Sequence, residues 1–304
     1  EDSLLTNSGS VRVYHWNGSS WNQMGSQLIG EASGDEFGSA VDISADGTII
    51  AVGANGNDGT AINAGHVRIF EWDGSSWVQI GSDIDGESFA DNSGRYLSLS
   101  NNGDTIAIGS SYNDDGGNNA GHVRVFSWNG TFWSQVGADI NGEEDAIAGK
   151  VALNGDGTRL IIGANGYDPG GLARVYFWDG TDWVQEGQDL LGEAPNDNYG
   201  NRVAISNNGE TILVSAKGHD ILATNEGHVK AYFLSGLGIN ELDGFSNLEI
   251  FPNPTSGRFT ISLDEGSHSE ISVFDATGRL VHNLSTDNAT IEMNLTAFEA
   301  GVYT

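Results

Sequence analysis

The sequence predicts an all-β protein, a β-propeller of four-stranded antiparallel blades followed by a small β-sandwich. Three observations predict it. Glycine is abundant and proline scarce, 44 residues against 4 in a chain of 304, a composition suited to many short strands joined by tight turns. One phrase of alternating residues recurs at a period of about 50 to 56, the spacing of a repeat architecture. Each repeat has room for four strands, and four antiparallel strands per repeat make a propeller blade rather than a helical solenoid.

The phrase is Val11-Arg-Val-Tyr-His-Trp16, then Val67-Arg-Ile-Phe-Glu-Trp72, Val123-Arg-Val-Phe-Ser-Trp128, Ala173-Arg-Val-Tyr-Phe-Trp178 and Val229-Lys-Ala-Tyr-Phe-Leu234. Successive starts lie 56, 56, 50 and 56 residues apart. The shorter unit loses its residues mainly between Asn165 and Leu172, where a surface loop tolerates deletion. Each phrase is a strand ending at Trp. A turn such as Asn17-Gly-Ser-Ser20 follows, and a second strand opens on Trp21, Trp77, Trp133 or Trp183. That strand runs to a Gly-Glu pair, at Glu31, Glu87, Glu143 and Glu193. Strands three and four form a hairpin, Val41 to Gly53 in one copy, and its Asp46-Gly47 supplies the positive φ expected of a two-residue turn.

Alternation places Arg12, Arg68, Arg124, Arg174 and Lys230 in one register, five of only twelve basic residues. Both faces of a blade pack on neighbours, so a partly buried cation there needs a carboxylate or an aromatic face. The expected partner is the Glu of the Gly-Glu pair. The alternative is a ring of Arg that binds an anionic ligand. The formal charge is −30, with 42 acidic residues, which excludes nucleic acid and anionic lipid as partners. No apolar window is long enough for a membrane span, and without cysteine no disulfide forms.

The segments Asp35-Glu-Phe37-Gly38, Ala51-Val-Gly53-Ala54-Asn55 and Gly65-His-Val-Arg-Ile-Phe70 together resemble the FG-GAP repeat of integrin-like β-propellers. The resemblance covers residues 1–236 and implies the propeller fold. Some FG-GAP blades carry an Asp-x-Asp-x-Asp-Gly calcium loop, a spacing this sequence lacks. Its corresponding loops hold Asn55, Asn57 and Asp58, then Asn113, Asp114 and Asp115, then Asn165 and Asp168. Oxygen donors of this kind suit Ca²⁺ and are equally the residues of solvated turns. Calcium is the one cofactor the sequence suggests.

Residues 237–247 read as a linker. Beyond it, 248–304 reads as short alternating strands with a turn at Asp275-Ala-Thr-Gly278. The run Pro252-Asn-Pro254-Thr-Ser-Gly257, the Phe274-Asp-x-x-Gly-Arg turn and Gly301-Val-Tyr303 closely resemble the C-terminal sorting domain of type IX secretion cargo in Bacteroidetes. That resemblance implies export to the cell surface or beyond, with the secretion machinery as a partner. Asn7-Ser-Gly9-Ser-Val11 aligns with Asn63-Ala-Gly65-His-Val67, so the sequence opens inside a unit. Further blades upstream, and a further strand or two after Thr304, are expected.

No nucleophile elbow, zinc-protease helix or phosphate loop is present. His66, His122 and His228 share one repeat position, a recurrence that favours a structural role over catalysis. All eight Trp sit in the hairpins, where cross-strand aromatic pairs stabilise a sheet. The function expected is a non-enzymatic secreted or surface module that binds an extracellular protein or glycan in adhesion. Two alternatives remain: a lectin whose Trp faces stack on sugars, and an extracellular hydrolase or lyase with its site in the propeller channel.

Overall fold

A computed structural model describes residues 5–219 and 227–235, and the segments 238–241, 249–251, 258–262, 269–274, 280–286, 288 and 290–294. The chain divides into two compact units, Glu1–Glu241 and Leu242–Thr304. Every regular element among the described residues is a strand.

The first unit opens with a hairpin of β1 (Ser10–Trp16) and β2 (Trp21–Ile29). Blade 1 comprises β3 (Ala40–Ile43), β4 (Ile49–Ala54), β5 (His66–Trp72), β6 (Trp77–Gln79) and β7 (Ile84–Asp85). Blade 2 comprises β8 (Ser93–Leu99), β9 (Thr105–Ser110), β10 (His122–Trp128), β11 (Trp133–Gln135) and β12 (Ile140–Asn141). In these two blades the fourth strand is split into two pieces that both pair with the third. Blade 3 runs β13 (Ala148–Leu153), β14 (Arg159–Ala164), β15 (Leu172–Trp178) and β16 (Trp183–Leu191). Blade 4 runs β17 (Tyr199–Ile205), β18 (Thr211–Ala216), β19 (His228–Ser235) and β20 (Gly238–Glu241). Pairing is antiparallel and sequential in each sheet, as the four-strand repeat predicts. Gly238–Glu241, within the segment expected to be linker, pairs with β19 and completes blade 4.

The core lies between blades. Ala51, Val67 and Ile69 of blade 1 pack with Leu99, Ile106 and Ile108 of blade 2, and the same pattern joins blades 2 to 3 and 3 to 4. The second strand of each blade is apolar on both faces, hence runs such as Ile49-Ile-Ala-Val-Gly-Ala54 with nearly every residue buried. Indole N–H groups tie the blades together: Trp77 donates to the carbonyl of Met24, Trp133 to Ile80 and Trp183 to Val136, at 3.0–3.1 Å. Each pairs with the Trp across its turn at 5.3–5.6 Å between ring centroids.

The expected cation–carboxylate ties are present for four of the five cations, and Arg12 donates to Gln27 Oε1 at 2.8 Å. Arg68 meets Glu31 at 3.3 Å, Arg124 meets Glu87 at 3.2 Å, Arg174 meets Glu143 at 2.5 Å and Lys230 meets Glu193 at 2.6 Å, each across a blade boundary. Arg68 also lies 4.3 Å from the centre of the Phe37 ring. These four cations are engaged by the scaffold, so the alternative of a ring open to an anion does not hold for them. The hairpin turns differ from the two-residue form. In Ser44-Ala-Asp-Gly47 only Gly47 has positive φ, the Gly47 amide donates to Ser44 and the Ser44 amide to Ile49. Asp46 explains the longer loop, because one carboxylate oxygen accepts from the Ser44 and Thr48 hydroxyls and the Thr48 amide. Those bonds hold its pKa below the usual range.

In the second unit β21 (Glu249–Phe251), β22 (Arg258–Ser262), β23 (Ser269–Phe274), β24 (Leu280–Thr286) and β25 (Thr290–Asn294) form two sheets, β21-β22-β25 and β23-β24. The expected 252–257, 275–278 and 301–303 signatures, and 237 and 242–247 of the linker, lie outside the described residues. Among the described residues no helix is long and apolar enough to cross a membrane.

Candidate functional site

The first strands of blades 2, 3 and 4 each begin with a bulge. Pairing skips from Ser93 to Tyr96, from Ala148 to Lys150 and from Tyr199 to Arg202. A bulge leaves residues out of the ladder and re-aims their side chains. Basic residues stand at these bulges: Arg95 lies within the one in blade 2, and Lys150 and Arg202 are the first residues back on the ladder after those in blades 3 and 4.

They gather around one aromatic ring. The Arg202 guanidinium lies 5.6 Å and the Lys150 ammonium 5.5 Å from the centre of Tyr96. Arg202 belongs to blade 4 and Tyr96 to blade 2, so strands of non-adjacent blades face each other here. Arg95 lies 5.4 Å from the Tyr112 ring and donates to its hydroxyl at 3.3 Å. A cleft of about 570 Å³ opens at this point, lined by Arg95, Tyr96 and Arg202 with Asn55, Asn92 and the carboxylate of Glu36. Its lining is polar, which suits a polar or charged ligand held by a few fixed groups.

Electrostatics set this cluster apart in a chain of charge −30. Among the described residues, the ion pairs of Arg and Lys with carboxylates fall on other cations. Lys150 is 5% exposed and its ammonium donates to the Ile147 carbonyl at 2.8 Å. Burial, then the charges of Arg95 and Arg202, lower its pKa to about 8. An anion entering the cleft would relieve that repulsion.

The cluster escapes a motif search because its members occupy adjacent, not identical, repeat positions. The residue after the Phe-Gly position is Ser39, Arg95, Lys150 and Asn201 in turn. A basic residue appearing there twice in so acidic a chain is the available signal.

The residues expected in calcium loops are largely occupied by their own turns. Asn57 is buried and its Oδ1 accepts from the Gly59 amide. Asp58 accepts from the Asn63 amide and Asp114 from the Asn119 amide. Buried Asn113 accepts from the Asp115 amide and donates to Asp91. Asn55 lines the basic cleft, Asn165 keeps a buried Oδ1 without a partner, and Asp168 precedes Pro169. Asp115 turns toward Glu87, His122 and Asp139. The lectin reading loses part of its basis, since Trp77 and Trp183 are buried and spend their N–H groups on neighbouring blades; Trp16 and Trp21 of the first hairpin stay exposed.

Comparison with known proteins fits this arrangement. The FG-GAP repeat matches residues 30–70, which span the β3-β4-β5 hairpins. The secretion system C-terminal sorting domain matches residues 249–304. Two curated relatives are an ulvan lyase of Nonlabens ulvanivorans, 36% identical, and an endo-acting ulvan lyase of Formosa agariphila, 37% identical, each over 59 residues. The match covers 19% of this chain and 11% of either lyase, a segment about the size of the sorting domain. A crystal structure of a protein from Lactobacillus plantarum superposes with a TM-score of 0.52 at 11% identity, covering 95% of this chain and 82% of that one. The chain therefore carries an FG-GAP repeat and a type IX secretion C-terminal sorting domain on an all-β, propeller-type fold, and the sorting domain indicates export to the cell surface or the extracellular space.

Proposed function

We propose that the propeller is a non-enzymatic interaction module that binds an anionic extracellular ligand, a carboxylate- or sulfate-bearing glycan, in the cleft around Tyr96. The observation that carries this is the placement of Arg95 and Arg202, neither paired with a carboxylate among the described residues, on one cleft of an otherwise acidic molecule, with buried Lys150 against the same Tyr96 ring as Arg202. Guanidinium groups bind carboxylate and sulfate oxygens in a planar, two-point manner, and an aromatic face beside them can pack against a sugar ring. The sorting domain delivers such a module to where extracellular glycans are found. The two lyases whose segments match are named for a polysaccharide, which agrees in kind with a glycan ligand.

Calorimetric titration with uronate and sulfated oligosaccharides, against neutral ones of equal length, tests the reading. Charged oligosaccharides bind and lose affinity with salt, and Arg95→Ala/Arg202→Ala weakens them at least tenfold. Equal binding of neutral and charged saccharides, or an unchanged double variant, rejects it.

A second reading is a lyase acting at the same cleft. Lys150, with its pKa near 8, stands beside Tyr96, and elimination from a uronate needs a cation on the carboxylate and a base near the sugar ring. Appearance of an unsaturated, ultraviolet-absorbing product, abolished by Tyr96→Phe, would replace binding by catalysis.

A further inference from the structure

We propose that Glu87, Asp115, His122 and Asp139 form a binding site for a divalent transition-metal cation of the Zn²⁺ type, at the edge of blade 2. One ligand atom from each lies within 4.8 Å of all the others. Ligand atoms of a tetrahedral zinc site stand about 3.4 Å apart for bonds of about 2.0–2.2 Å, so the set closes when these side chains draw inward. The donors are one imidazole nitrogen and three carboxylates. Calcium prefers an all-oxygen shell, whereas imidazole favours the first-row transition metals.

An acidic cluster alone would be unremarkable in this chain; His122 supplies the independent observation. It is 0% exposed, and both ring nitrogens are buried without a hydrogen-bond partner. Buried polar groups of native proteins are nearly always satisfied, and an exception points to something that binds there.

The surrounding residues hold the ligands in place, as outer-shell partners do around metals. Gln135 donates to Asp139 at 2.6 Å. Asn113 accepts from the Asp115 amide at 2.9 Å. Buried Asp91 accepts from the backbone amides of Glu87 and Ser88. The charge also fits. Glu87, Asp115, Asp139 and nearby Asp91 outnumber the single guanidinium of Arg124, which meets Glu87, so the site's surplus negative charge favours a divalent cation.

Blade 3 provides an internal comparison. Leu172 stands where blade 2 has His122, and Tyr167 where it has Asn113. There Arg174 gathers both acids itself, Glu143 at 2.5 Å and Asp189 through two bonds of 2.7 and 2.8 Å. In blade 2 the corresponding Arg124 turns to the Asp85 carbonyl and Glu87, and its Nε is left without a partner. Asp139 therefore faces the histidine instead of the arginine. The chain thus holds one acid pair in two ways, by guanidinium where the histidine is missing and beside a buried histidine where it is present. Blade 1 offers a smaller set, Glu31, His66 and Asp83.

Equilibrium dialysis of the chain against ZnCl₂, with bound metal counted by elemental analysis, tests the site. His122→Leu, which installs the blade 3 residue, and Asp139→Asn each remove one zinc equivalent per chain while circular dichroism stays unchanged. Bound Co²⁺ gives a visible spectrum that both variants diminish. If His122→Leu fails to fold, the Asp139→Asn measurement decides. Zinc stoichiometry and cobalt spectrum unchanged in the folded variants overturn the proposal. Calcium competing at the same site as tightly as zinc overturns the assignment to a transition metal.

Discussion

A Cβ placed on Gly109 would lie 2.0 Å from the carbonyl oxygen of Gly149 in the next blade. Gly53 stands in the same relation to Gly94, and Gly163 to Gly200. The two glycines of the FG-GAP pattern are therefore contact partners across the blade boundary, and they set how closely the inner strands approach. Gly109→Ala should destabilise the propeller by about 1–3 kcal/mol, the usual cost of overpacking, because the obstacle is backbone and cannot rotate aside. Urea unfolding measures it; an unchanged midpoint would show that the blades separate freely.

The Trp residues divide by position. Trp133→Phe removes the part-buried bond to the Ile80 carbonyl, an expected loss of about 1 kcal/mol. Trp21 is 67% exposed, so Trp21→Phe should change stability by less than about 0.5 kcal/mol. Thermal unfolding of both variants checks the contrast.

Much of the propeller was legible because each blade repeats the same constraints. Alternation required a partner for the cations at 68, 124, 174 and 230, and the Gly-Glu carboxylates were the acids recurring at a matching offset. The turns at Asp46, Asn102, Asp156 and Asn208 escape dipeptide rules because the side-chain oxygen accepts from neighbouring residues of its own turn and lengthens the loop. The loop amides near 57 and 113 carried the composition of a calcium site, yet turn-forming residues bond first to their own backbone. The cleft was least legible. It depends on bulges that hold Arg95 out of the ladder and stand directly before Lys150 and Arg202, and on a meeting of Arg202 with Tyr96 that no local pattern encodes.

Arg174 links Glu143 of one blade to Asp189 of its own. Arg174→Met should cost about 1–3 kcal/mol at neutral pH, reduced from a fully buried pair because both acids are partly exposed. The bond to Arg174 holds the Asp189 pKa below its ordinary 3.8. Its contribution is therefore complete above that ordinary pKa and lost as pH falls through the lowered one. The difference between wild type and variant should shrink on acidification below about pH 4, as measured by urea midpoints across the acid range. A constant difference would mean that Arg174 acts through packing alone.

Lys150 behaves in the opposite sense. Its folded pKa, near 8, lies below the ordinary 10.5, so between these values the unfolded chain binds more protons than the folded one. Stability must then rise with pH across that window, and below pH 8 the full penalty of the buried charge applies. Lys150→Met should stabilise the ligand-free propeller by about 1–3 kcal/mol at pH 7 and remove the rise between pH 8 and 10. An anion held beside Arg95 and Arg202 offsets their repulsion of Lys150 and raises its pKa, so ligand binding at pH 8.5 should take up protons. Calorimetry in two buffers of different ionisation enthalpy reads that uptake directly. Binding without uptake, or uptake that persists in Lys150→Met, would separate Lys150 from the ligand site.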